Sequence, residues 1–147
     1  MKGTPKIKRV KLKVSNDPDS ILIGIVSAEP DYKLSLTLNR KLGISLRNTE
    51  PVEIHEEPDP ELSFSRFSDS SAQTGVIYDL VSNRSGKNCF IKKLKNIDFI
   101  FQVHNIYDES EINRILSVLR DIDCITGVFK ISPDTSGKEK NLQYITH

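Results

Sequence analysis

The sequence is short of cysteine, of net charge and of long hydrophobic runs, and each shortage excludes something. Cysteine occurs twice in 147 residues, at Cys89 and Cys124. The two do not form a metal-ligand spacing and Cys89 abuts a strand pattern, so free thiols in a reducing cytoplasm are expected. His55, His104 and His147 stand far apart without an i, i+4 partner, which argues against zinc. Spacing leaves open a Cys–His pair between His104 and Cys89 or Cys124, because such partners meet in space. Lys+Arg number 21 and Asp+Glu 20, a net charge of +1, so bulk charge selects no partner. The longest apolar run, Ile21 to Val26, has six residues and follows Asp17 and Asp19. It is too short to cross a membrane and unlike a signal peptide, so no membrane partner is expected.

Catalytic and nucleotide-binding motifs are missing too. There is no Gly-x-Ser-x-Gly elbow and no dinucleotide fingerprint. Ser85-Gly86-Lys87 and Ser136-Gly137-Lys138 suggest phosphate loops, but the upstream glycine of a Walker A loop is replaced by Val81 and Ser132. The following Ser/Thr is replaced by Asn88 and Glu139. Both read as turns. No catalytic residue, cofactor or metal is nominated, and the expectation is a protein that is not an enzyme.

What is present describes one domain over residues 1–147. A chain of this length buries about 68–70% of its unfolded surface, enough for a core without staples. The hydrophobic share is 37% and the mean hydropathy −0.36. Residues 1–13 hold six basic residues, Lys2, Lys6, Lys8, Arg9, Lys11 and Lys13, and the basic N-terminal arm covers about residues 1–8. Val10, Leu12 and Val14 alternate with basic residues like a lysine-protected edge strand. Asn16-Asp17-Pro18-Asp19 is a turn. Ile21 to Val26 reads as a buried strand. Leu34, Leu38 and Leu42 repeat at helical spacing, with Ser27 as cap, Pro30 in the first turn and Gly43 as stop, so a helix is predicted from about Ala28 to Leu42. Ile44–Arg47 and Val52–His55 read as strand broken near Pro51.

Residues 50–61 hold six acids among Pro51, Pro58 and Pro60, which reads as a rigid solvated loop. Leu62–Phe67 and Val76–Ser82 are further strands. A turn over Asn83 to Lys87 leads to Cys89-Phe90-Ile91. Ile97, Phe99, Phe101 and Val103 then alternate with Asp98, Ile100 and Gln102, which marks a central strand with Ile97 on the face of the phenylalanines. Asp108 and Glu111 form a capping pattern ahead of the stripe Ile112, Ile115, Leu116, Leu119 and Ile122. Val128–Ile131 is the last strand. A polar tail runs from about 133 to 147. The predicted class is α+β: an antiparallel or mixed sheet with two helices packed on one face, ferredoxin-like in its last helix–strand step.

Ile91-Lys92-Lys93, three residues, then Ile97-Asp98-Phe99 resembles the signature of the IPExxxVDY family, small bacterial proteins of unassigned function. Lys92 and Lys93 stand where that signature has Pro and Glu. Asp31-Tyr32-Lys33-Leu34, Leu38-Asn39 and Leu42-Gly43 resemble the same family's Asp-Tyr-Arg-Leu helix ending in Leu-Gly. The resemblance covers most of the chain and implies no activity.

Three residues are singled out as binding candidates. Asp98 lies mid-strand between apolar neighbours, where a lone carboxylate is costly to bury. It is read as the partner of a Lys or Arg on an adjacent strand, or as a binding or acid–base group. Asp31 suits the positive end of the helix dipole, and Tyr32 reads as a half-buried core residue; either is also a candidate binding group. The expected function is a non-enzymatic interaction or homodimerisation module. The alternatives are a nucleic-acid-associated protein using the basic arm and a small-ligand sensor of the regulatory ferredoxin-like kind.

Overall fold

Residues 21–27 are apolar at almost every position, as a strand covered on both faces requires. They form β1 (Ile21–Ser27) inside a six-stranded sheet. A computed structural model describes residues 20–54, 62–85, 88–91 and 94–131. The other elements are α1 (Asp31–Leu42), β2 (Arg47–Ile54), β3 (Leu62–Asp69), β4 (Ile77–Ser82), β5 (Arg84–Ser85), β6 (Asn88–Cys89), β7 (Phe99–His104), α2 (Glu109–Arg120) and β8 (Ile125–Ile131). The large sheet has the order β2-β3-β4-β7-β1-β8, and every neighbouring pair is antiparallel. β5 and β6 make a separate two-stranded ribbon.

The class is α+β, as the element order implied. β1 and β4 run parallel with β7 between them, and β7 and β8 run parallel with β1 between them. With α1 following β1 and α2 preceding β8, this part resembles the ferredoxin-like split βαβ arrangement. β3 and β2 extend it beyond β4.

Alternation along the strands builds two cores. Ile23, Ile25, Tyr78, Leu80, Phe99, Phe101 and Val103 face both helices and meet Leu34, Leu38, Ile115 and Leu119. On the opposite face Leu22, Phe64, Val81 and Ile100 pack beneath Phe90, Ile91 and Ile97. Phe64 and Phe90 hold their rings 5.3 Å apart and tilted by 55°, a favoured aromatic geometry.

Several boundaries depart from the sequence reading. α1 starts at Asp31, with Pro30 at the cap position and no side-chain cap. Glu29 precedes a proline and is steered away from helical backbone, which rules out the earlier start at Ala28. Ser27 stays in β1: its hydroxyl donates to Cys124 O at 2.7 Å and accepts from Glu29 N. Gly43 ends α1 at φ 70, its N–H bonded to Asn39 O, a left-handed stop that glycine adopts freely. β2 is continuous through Pro51, the register shifting between Thr49 and Val52; an edge strand tolerates proline in this way. Ile44–Leu46 lies outside it.

α2 is capped by Asp108, whose carboxylate accepts from Ser110 N. Glu111 does not complete a capping box; it binds Arg114 at 2.7 Å. β8 begins three residues earlier than its apolar pattern, because a bulge at Val26/Ser27 lets Ile125 pair with Ser27. Ile97 also departs: it joins the core opposite Phe99, Phe101 and Val103. A turn bonds its N–H to Leu94 O, and regular strand begins only at Phe99. No helix among the described residues is long and apolar enough to cross a membrane. The basic arm, the Val10–Val14 strand, the Asn16–Asp19 turn, His55, Gly86-Lys87, Lys92-Lys93, Ser136-Gly137-Lys138 and the tail from 133 lie outside the described residues, as does most of the acidic loop.

Candidate functional site

Asp98 sits one residue before β7. Its N–H donates to Ile25 O and its C=O accepts from Asn83 N, so backbone pairing already holds it between β1 and the end of β4. Its carboxylate accepts from Ser27 N at 2.9 Å through Oδ2 and from Arg84 Nε at 2.6 Å through Oδ1. Arg84 also donates through Nη2 to Lys95 O at 2.6 Å. The cation is therefore in the short strand β5. The Asp98 side chain is 23% exposed and that of Arg84 44%. Asp98 is neither lone nor fully buried; it ties the end of β1, the β5 ribbon and the turn before β7 into one junction.

Asn83 completes the junction, and the sequence reading missed it. It is buried between β4 and β5. Its amide nitrogen donates to Leu94 O and Ile97 O, both at 2.9 Å, and its amide oxygen accepts from Ile91 N at 2.7 Å. Its backbone C=O accepts from Phe90 N. One side chain thus holds Ile91, Leu94 and Ile97 together at the end of β4. Of the residues that carry the IPExxxVDY resemblance, Ile91, Ile97 and Asp98 lie in this loop and junction, Phe99 opens β7, and the Asp31–Gly43 part lies in α1 and its stop. A turn dipeptide Asn-Arg was the available signal, but the partners lie 8 to 14 residues away in sequence.

A second polar group lies on the same face of the sheet as Ile100. Asp79 on β4 is fully buried and accepts from Arg66 Nε on β3 at 3.1 Å. Its other carboxylate oxygen lies 3.3 Å from His104 Nε2, an ion pair when the imidazole is protonated. Gln102 is the direct cross-strand partner of Asp79 and is fully buried. Both its amide oxygen and its amide nitrogen are buried without a hydrogen-bond partner among the described residues, which is uncommon in a folded protein. Alternation in β7 placed Gln102, but Asp79 was given no face, and only strand order shows that the two are neighbours.

Asp31 and Tyr32 are elsewhere. Asp31 Oδ1 accepts from Tyr32 N at 2.7 Å at the start of α1. Tyr32 is 55% exposed, contrary to the half-buried expectation: Leu34, Leu38 and Leu42 define the buried stripe, and a residue two before Leu34 points away from it. No hydrogen bond or ion pair joins either to Asp98. His104 lies against Asp79, and both cysteines are free and half-buried. No group of three or more His, Cys, Asp or Glu is placed to hold a metal ion among the described residues.

The most exposed apolar part of the sheet is its β8 edge. β8 pairs with β1 and, among the described residues, with no other strand. Thr126, Phe129 and Lys130 are exposed and Gly127, Val128 and Ile131 half-buried. Phe129 is 53% exposed. Its ring lies back along the strand: a Cβ on Gly127 would meet Phe129 Cε2 at 2.9 Å and Val26 Cγ2 at 3.2 Å. A side chain at 127 would therefore displace the outer end of the exposed Phe129 ring. No family model matches the chain, and a search of curated proteins finds no match.

Proposed function

We propose that the chain is a non-enzymatic interaction module, a small bacterial protein related to the IPExxxVDY family, and that its docking element is the outer edge of β8. One observation carries this: among the described residues β8 pairs with β1 alone, and it is a strand of mostly β-branched and aromatic residues with a half-exposed phenylalanine and a single charge, Lys130. Unpaired N–H and C=O groups on such an edge accept another strand. Two free cysteines suit a cytoplasmic location. The test is photo-crosslinking in cells with a benzoyl-phenylalanine at position 129 and, as control, at the exposed Lys33. Protein adducts from 129 and none from 33 are expected. Absence of adducts from 129 overturns the reading.

A second reading, small-ligand sensing, is favoured by Gln102. A ligand with a donor–acceptor edge would satisfy both of its orphaned atoms. A thermal-shift screen of amide- and nucleobase-bearing metabolites, with Gln102→Leu as control, checks it. A shift present in the wild type and lost in the variant supports it.

A further inference from the structure

We infer that Phe90, Ile91, Leu94 and Ile97 form a cap that opens as one unit while the six-stranded sheet stays folded, and that Asn83 is its latch. The cap belongs to no ladder of that sheet: among the described residues β5 and β6, which lead into it, pair only with each other. Lifting the cap therefore breaks no strand pairing of the large sheet. The hydrogen bonds that the described residues show between cap backbone and the end of β4 converge on Asn83. Its Nδ2 donates to Leu94 O and Ile97 O, its Oδ1 accepts from Ile91 N, and its C=O accepts from Phe90 N. Two more bonds, Leu94 N to Ile91 O and Ile97 N to Leu94 O, are internal and move with the cap. Arg84 clasps the base through Asp98 and Lys95 O, but its ion pair is half-exposed and contributes little.

Packing makes the closed form the ground state. Phe90 and Ile91 are fully buried and Ile97 nearly so, against Leu22, Phe64, Val81 and Ile100. Ile97 is seated on β1 at Gly24, where an added Cβ would meet its Cδ1 at 2.9 Å. None of these residues belongs to the helix-face core, so an open cap leaves Leu34, Leu38, Ile115 and Leu119 packed. A segment held by few, local polar bonds opens below the free energy of global unfolding. The latch is a single residue because removing its side chain orphans three backbone groups of the cap at once.

Native-state hydrogen exchange on the full chain tests this. The reporters are amides whose own bonds do not use the Asn83 side chain: Phe90 and Ile97 in the cap, Ile23 in β1 and Phe101 in β7. After correction for intrinsic rates, the two cap amides of the wild type should exchange at least about a hundredfold faster than the two strand amides. Leu119→Ala should speed Ile23 and Phe101 and leave Phe90 and Ile97 unchanged, because Leu119 stays packed when the cap is open. Asn83→Ala should speed Phe90 and Ile97 at least about tenfold. One common protection for all four amides, moved alike by Leu119→Ala, overturns the separate opening. Unchanged protection of Phe90 and Ile97 in Asn83→Ala overturns the latch. If Asn83→Ala does not fold, the milder Asn83→Ser, whose hydroxyl can keep one bond, is read by the same two outcomes.

Discussion

Asp98 uses both carboxylate oxygens on the protein itself, one on a backbone amide and one on a guanidinium. The half-exposed ion pair contributes about 0–1 kcal/mol, and the hydrogen bond from Ser27 N to a charged acceptor adds roughly 1.5–3 kcal/mol. Asp98→Ala is therefore expected to destabilise by at least about 1 kcal/mol, read from urea midpoints; an equal or higher midpoint would mark Asp98 as a strained functional group. Asp69 offers a pH test. Burial raises its carboxyl pKa, but hydrogen bonds from the Ser71 hydroxyl and N–H and from Ser45 N–H, with Arg47 nearby, outweigh burial and hold it below the usual range. A lowered folded pKa gives stability that is fully present above the ordinary value, about 3.9, and lost as pH falls through the folded value. The stability gap between wild type and Asp69→Asn should be constant from about pH 7 to about pH 5 and shrink below about pH 4. A gap unchanged down to about pH 2 would show that the charge of Asp69 contributes nothing. At this scale sequence reasoning located Asp98 and its need for a cation, because a carboxylate among apolar residues signals a partner. Asn83, Asp79 and Gln102 were not legible, since their significance lies in contacts across strands whose order the sequence does not state.

Among the elements, α2 was the most legible; α1 was read correctly at its end and not at its start, and β5, read as part of a turn, was missed. A helix end with its own capping side chain is a local event: Asp108 accepts from Ser110 N two residues away, and the stripe Ile115, Leu116, Leu119 is buried as its spacing implies. The start of α1 is decided by Pro30, and the hydroxyl of the expected cap, Ser27, is held by Cys124 O from across the fold. β8 was read three residues short because Ile125 enters the sheet through a bulge, and bulges leave no periodic signal. The same reasoning fixes what α2 is worth. Leu119 is fully buried and Leu116 nearly so, so Leu119→Ala is expected to cost roughly 2–5 kcal/mol and Leu116→Ala a value toward the lower end. Thermal or urea unfolding checks this; a loss below about 0.5 kcal/mol at both positions would mean that α2 does not hold the sheet.

For the molecule as a whole, the sheet separates two cores, one under the helices and one under the loop that Asn83 pins. The class and the two helices on one face were legible, because alternation in β7 and the helical stripes require them. That the second face of the central strand is covered was legible in Ile100, but what covers it was not, because Ile97 read as part of the strand when it belongs to the loop above it. The two cores should therefore behave as independent stores of stability. Leu119→Ala on the helix face and Phe90→Leu on the loop face share no contact cluster, and their destabilisations should add within about 0.5 kcal/mol. Phe64→Leu and Phe90→Leu truncate rings 5.3 Å apart in one cluster. Their combined effect should depart from the sum by roughly 0.5–1.5 kcal/mol, the size of an aromatic pair's own interaction. Urea unfolding of the single and double variants measures both couplings under the same conditions. If the cross-sheet pair couples as strongly as the aromatic pair, the sheet transmits strain between its faces, and β8 and the Asp98 junction must be treated as one unit. If the aromatic pair adds without coupling, the loop is not docked on Phe64, and the second core owes nothing to the segment that Asn83 holds.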